Sequence, residues 1–234
     1  MDKMRVVILT PIQMYPEPIF LKSIVNMVAY SWAHGLRVEE IGFTERMVVD
    51  WARNSLAEAA LDKDCEYSEG KYTHFLWLDA DHAFNPDMLC VLAAHNVDMV
   101  SALYYGRGED DHLPVVYVKD NTPDKYKHFP LVQVPDTLIE VDAVGFGAML
   151  MKREVLEKTP KPWFTVDWRA GEDIAFCVRA RESGFKIYCD GAYKLGHVGV
   201  PPIVTETTYL KFMEDNKEKY QDRVKINLEG RRYE

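Results

Sequence analysis

Positive charge is in short supply: 28 Lys and Arg stand against 37 Asp and Glu, for a net charge of −9. The overall field therefore holds the chain neither to nucleic acid nor to an anionic lipid surface, although a local basic groove stays open. Cysteine is scarce, and Cys65, Cys90, Cys177 and Cys189 show no Cys-x-x-Cys spacing, which excludes a zinc ribbon and a redox dithiol. The first apolar stretch, Val6 to Leu9, is far too short for a signal core or a membrane span. We therefore expect a soluble, cytoplasmic protein of a reducing compartment. Repeats, low-complexity stretches and linkers are also missing, so 1–234 is read as one domain. No Gly-x-Gly-x-x-Gly follows the first apolar run. The small stretch Val144-Gly-Phe-Gly-Ala148 lies mid-chain and does not fit a dinucleotide fingerprint.

What remains is ordinary globular composition, 47% hydrophobic and 28% charged over 234 residues. A chain of this length buries about 70% or more of its unfolded surface and needs no metal or disulfide to fold. Short β-branched or aromatic runs alternate with helical patterns. Arg5 to Thr10, stopped by Pro11, Arg37 to Phe43, His74 to Leu78 and Met99 to Leu103 read as strands. Phe20, Ile24, Met27, Val28 and Ser31 mark a helix face closed by Gly35, and Asp50 to Leu61 a second helix. Asn85-Pro86 reads as N-cap and first residue of a helix to about His95. Val115 to Val118, Leu138 to Val141 and Lys186 to Cys189 read as further strands, with helices over Lys152 to Lys158 and from Gly171 to Gly184. The pattern predicts an α/β fold, a central mostly parallel mixed sheet flanked by helices, with a helical tail over 201–234.

Several groups of residues can carry chemistry. Asp79-Ala80-Asp81 directly follows the strand at His74 to Leu78, where open α/β sheets bind ligands. Two carboxylates so placed can share a divalent cation through hard oxygen ligands, or can simply satisfy a turn. Glu172 and Asp173 open a helix, where acids favour the macrodipole or supply a general base. His197, between Gly196 and Gly199, is a possible imidazole ligand or a hydrogen-bonded structural residue. Arg53 and Asn54 lie on the second helix, and arginine suits phosphate; an ordinary surface arginine paired with Asp50 or Glu58 is the other reading. Lys161-Pro-Trp-Phe-Thr-Val-Asp-Trp168 can form a lid or acceptor platform, or pack beside the sheet. The remaining acids, notably Glu109-Asp-Asp111, read as solvated surface.

Taken in order from Met4 to Gly199, these groups resemble the nucleotide-sugar-dependent glycosyltransferases of GT-A fold, nearest to inverting, family-two-like enzymes. The resemblance implies a nucleotide-sugar half over 1–103 and an acceptor half over 104–200. It places the donor nucleotide against Thr10, Pro11, Arg53 and Asn54, and the sugar beside Gly145, Gly147 and Ala148. It gives Asp79 and Asp81 the sugar nucleotide, UDP- or GDP-type, and its Mg²⁺ or Mn²⁺, with His197 as a further ligand. It puts Glu172 and Asp173 at the acceptor side, Asp173 as base. The acceptor expected is a glycan or a hydroxymethylated DNA base. Retaining GT-A enzymes, a metal-dependent nucleotidyltransferase and a sugar-nucleotide-binding module without turnover remain alternatives. The segment after the first strand, Pro-Ile-Gln-Met-Tyr-Pro, lacks the Gly-rich basic loop usual in nucleotidyltransferases.

Overall fold

The computed structural model describes residues 4–108, 112–167, 170–199 and 203–220, together with the backbone of 225–226 and 232–233. The elements are β1 (Arg5–Ile12), α1 (Pro18–Ala33), β2 (Arg37–Glu45), α2 (Val49–Asp62), β3 (His74–Leu78), β4 (His82–Ala83), α3 (Met88–Ala94) and β5 (Met99–Leu103). They continue with β6 (Val116–Lys119), β7 (His128–Pro130), β8 (Leu138–Val141), β9 (Ala143–Val144), β10 (Ala148–Lys152), α4 (Arg153–Lys158), α5 (Glu172–Glu182) and β11 (Ile187–Lys194). β12 (Gly196–Val198), β13 (Ile203–Val204), α6 (Glu206–Asp215), α7 (Lys217–Tyr220), β14 (Lys225–Ile226) and β15 (Arg232–Tyr233) complete the chain.

The central sheet has seven strands in the order β2-β1-β3-β10-β5-β11-β8. β2, β1, β3, β5 and β11 run one way, while β10 is antiparallel between β3 and β5, and β8 is antiparallel on the edge. The fold is thus the expected mixed, mostly parallel α/β sheet. β3 is apolar almost throughout because both faces are covered. Phe75 and Trp77 join the core that includes Leu56 of α2 and Phe176 of α5. Leu76 and Leu78 join the opposite core with Phe20 and Met27 of α1 and Leu89 of α3. Glycines at positive φ follow α1 and α5: Gly35 at +80° and Gly184 at +92°.

Several details differ from the sequence reading. Pro11 does not stop β1, which continues to Ile12 along β2. The second neighbour, β3, pairs only with Val6 to Leu9, so the missing proline N–H has no ladder partner to leave empty. The helix expected at Asn85-Pro86 begins at Met88; a turn precedes it, with the Met88 N–H donating to the Asn85 carbonyl at 3.3 Å. β11 runs five residues past Cys189, to Lys194. β10, Ala-Met-Leu-Met-Lys, has no counterpart among the expected strands, because it holds no β-branched or aromatic residue and its place is set by two neighbours. Within 201–234, read from the sequence as a helical tail, α6 and α7 are helical while β13, β14 and β15 are short strands. Among the described residues no helix is long and apolar enough to cross a membrane. The acids 109–111 and Trp168 lie outside the described residues.

Candidate functional site

Where β3 leaves the sheet, its backbone is fixed by three separate segments. The Asp79 N–H donates to the Gly147 carbonyl (3.1 Å), the Ala80 carbonyl accepts from Glu17 N–H (2.8 Å), and the Asp81 carbonyl accepts from Val198 N–H (2.9 Å). The carboxylates of Asp79 and Asp81 then serve different partners.

Asp79 faces inward. Its Oδ1 accepts from Arg53 Nη2 at 2.8 Å, and Arg53 Nε donates to Glu172 Oε1 at 3.1 Å. The Arg53 side chain is only 3% exposed and lies against the rings of Trp77 and Phe146, 5.7 and 5.5 Å from their centroids. Burial pulls its proton affinity down, but the charges of Asp79, Glu172 and Asp173 more than offset that and raise it above the usual guanidinium value. Asp173 follows Glu172 in the first turn of α5, with Oδ1 accepting from the Ile174 N–H at 2.7 Å. Burial, and then the negative charge of Glu172, push the Asp173 carboxyl up to about 7. A Cβ on Gly171 would stand 2.8 Å from that Oδ1, so the N-cap glycine leaves the carboxyl its room.

Asp81 faces two histidines. The three-stranded sheet β13-β12-β4 pairs His197 directly across from His82, and cross-strand partners share a face. Their rings stack at 4.4 Å and 15°. His82 Nδ1 lies 3.1 Å from Asp81 Oδ1 and His197 Nε2 3.6 Å from Asp81 Oδ2. One ligand-capable atom from each of Asp81, His82 and His197 falls within 4.8 Å of the others. His197 Nδ1–H donates to the Tyr105 carbonyl at 2.8 Å, a bond that orients the ring so that Nε2 faces Asp81. His82 is fully buried; its Nδ1 faces Asp81 and its Nε2 has no hydrogen-bond partner. Two imidazoles converging on a carboxylate, one with an unpartnered buried nitrogen, suit a divalent cation. Burial would raise the Asp81 carboxyl, but His197 and His82 outweigh it and hold it well below the usual range.

Gly145, Gly147 and Ala148 are buried beneath this group. Gly147 N–H donates to the Tyr104 hydroxyl at 3.1 Å, and a Cβ there would come within 2.6 Å of His82 Cε1. The glycines therefore make space for His82 and Tyr104. Asp79, Asp81, Pro11, Trp51, Val166 and Arg107 border a cleft of about 720 Å³ at the carboxyl ends of β1 and β3. Thr10 lies beneath it, buried, with an unpartnered hydroxyl. A second cavity of similar size, under α6, is lined by Tyr105, Tyr209 and Met213 and lacks the carboxylate–imidazole group.

Asn54 lies apart from the charged groups. Its amide donates to the carbonyls of Asp50 (2.8 Å) and Phe164 (2.6 Å), and its oxygen accepts from Phe164 N–H (3.2 Å). Asn54 thus pins the segment expected as a lid. Trp163 and Phe164 in that segment are core residues, whereas Val166 is exposed at the cleft. Asn54→Ala removes two bonds to one buried residue and should cost about 1–3 kcal/mol in urea unfolding; no loss would mean that water replaces both.

The sequence reading missed His82 and Arg107. His82 adjoins Asp81, but nothing in the chain near it announces that β12 will bring His197 opposite.

No protein-family model matches the chain, and no curated protein matches it. Among solved structures it is similar to A197 from STIV, with 20% identity, 86% of this chain and 94% of that chain covered, and a TM-score of 0.55. It is also similar to GalNAc-T7 solved with UDP, GalNAc and Mn²⁺, with 14% identity, 94% and 49% covered, and a TM-score of 0.47. The catalytic domain of Drosophila β1,4-galactosyltransferase 7 with xylobiose gives 15% identity, 80% and 65% covered, and a TM-score of 0.46. The likeness to A197 shows a shared fold and nothing further, and the two weaker ones carry no argument.

Proposed function

We propose that the protein is a metal-dependent glycosyltransferase of GT-A type, which moves a sugar from a nucleoside-diphosphate sugar to an acceptor hydroxyl. The observation that carries the reading is the Asp81–His82–His197 group beside the cleft that Asp81 lines, a carboxylate and two imidazoles whose ligand-capable atoms lie within 4.8 Å of one another. Such a set holds a divalent cation, and the imidazoles make Mn²⁺ a better fit than Mg²⁺. A cation bound there would supply positive charge for the departing diphosphate. The chain's own groups do the rest. Asp79, held by Arg53, faces the donor. Asp173, with a proton affinity near neutrality, takes the acceptor's proton, and a base on that side favours inversion. The hydroxyl acceptor is a glycan or a hydroxymethylated base in DNA. Of the two, retention on a hydroxymethylated duplex at low salt supports the second and its absence rejects it.

A panel of sugar nucleotides with Mn²⁺, read by release of nucleoside diphosphate and by the anomeric configuration of the product, tests class, donor and stereochemistry together. Mn²⁺ with UDP or GDP at about 100 times Kd should add about 2.7 kcal/mol to unfolding and raise the melting temperature. Asp81→Ala should weaken Mn²⁺ by at least the roughly 10–100-fold that even outer-shell changes cost. If Asp81→Ala binds the metal–nucleotide pair as the parent does, the cation site is wrongly placed.

A further inference from the structure

Arg107 meets the same carboxylate that the cation would use. Its Nη1 forms an ion pair with Asp81 Oδ2 and lies 3.4 Å from the Val198 carbonyl. Among the described residues lining the cleft, Glu17, Asp50, Asp79 and Asp81 are acidic and Arg107 is the only base. A diphosphate cannot enter a cleft with four carboxylates and one guanidinium unless further positive charge arrives or the existing charge turns toward it.

We propose that Arg107 is a built-in counter-cation. It holds Asp81 while the divalent cation is absent, releases it when the cation binds, and then takes the diphosphate. The inference rests on reading Asp81, His82 and His197 as a cation site. Three observations support the exchange. Oδ2 of Asp81 lies toward His197 Nε2 as well as Arg107, so one oxygen is contested by the guanidinium and by any ion seated between carboxylate and imidazole. The Arg107 side chain is 54% exposed against 20% for Asp81, and an ion pair with its cation so open to solvent is weak enough for a divalent ion to displace. Its backbone packs closely against the residue after β12: a Cβ on Gly199 would stand 2.9 Å from the Arg107 carbonyl oxygen. The exposed side chain can therefore swing from a root that lies beside β12. A planar guanidinium binds phosphate oxygens in pairs, and a released Arg107 already borders the cleft where they would lie.

The signature is a pair of opposite effects. Mn²⁺ alone, titrated by the paramagnetic resonance of the free ion, should bind Arg107→Ala about two- to fivefold more tightly than the parent, because a competing charge is gone. UDP titrated at saturating Mn²⁺ should bind Arg107→Ala roughly tenfold more weakly or worse, because its charged donors are gone. Arg107→Lys should keep parental Mn²⁺ affinity and recover only part of the UDP affinity. If the parent binds Mn²⁺ and Arg107→Ala binds it no more tightly, the counter-cation role is overturned while the cation site stands. Unchanged UDP affinity overturns the diphosphate role. If the parent binds no Mn²⁺, the cation site falls and this inference with it.

Discussion

Arg53→Ala should cost about 3 kcal/mol or more of folding stability in urea at pH 7, a large share of the roughly 5–15 kcal/mol that holds a domain of this kind together. The guanidinium is the common partner of Asp79 and Glu172, and it offsets the charge of Asp173. Removing it leaves these carboxylates facing one another with no cation between them, and a void between Trp77 and Phe146. The two pairs do not count equally. Asp79 keeps 33% of its side chain in solvent, which screens it, whereas Glu172 keeps 13% and loses more. Arg53→Lys should recover only part of the loss, since one ammonium does not reproduce a fork that reaches a strand end and a helix start together. The surface pair Lys161–Glu58, about 60% exposed on both sides, provides the contrast: Lys161→Ala should change stability by no more than about 1 kcal/mol. An Arg53→Ala loss as small as that would show that the buried network does not hold the site.

β3 and β5, covered on both faces, match the sequence reading residue for residue, because a short apolar run bounded by polar turns is too brief for a helix and packs best as a strand; the edge strand β8, half-buried, matches as well. The position of Asp79 and Asp81 at a strand end followed from that. The burial of Arg53 was also within reach: it precedes Leu56, Ala57 and Ala60 by three, four and seven residues, the stripe that α2 turns inward. A charged residue on such a stripe calls for buried acids, and Asp79 and Glu172 are those acids. The histidine pair was not legible. His82 has meaning only through the register of β4 against β12, a contact between distant parts of the chain that no local periodicity encodes. β10 was hidden for a similar reason, its strand state imposed by β3 and β5. Arg107 carries no motif at all.

Asp173→Asn should lower transfer by roughly 10²–10⁴-fold while leaving Mn²⁺–nucleotide binding intact. The amide keeps the shape of the carboxyl but cannot take a proton from an attacking hydroxyl. The parent's rate should rise with pH through about 7, where Asp173 loses its own proton, and level off above. Stability runs the other way. A carboxyl whose folded value is raised above its unfolded value stabilises the fold fully at low pH, and this contribution is lost as pH rises through about 7. Above pH 7 the asparagine variant should therefore be at least as stable as the parent, which separates lost chemistry from lost structure. Glu172→Gln supplies a second check, because the Glu172 charge is one of the causes holding Asp173 up. Removing that charge should shift the rising limb to lower pH. Full transfer by Asp173→Asn, or a limb that stays put in Glu172→Gln, would place the base on another residue.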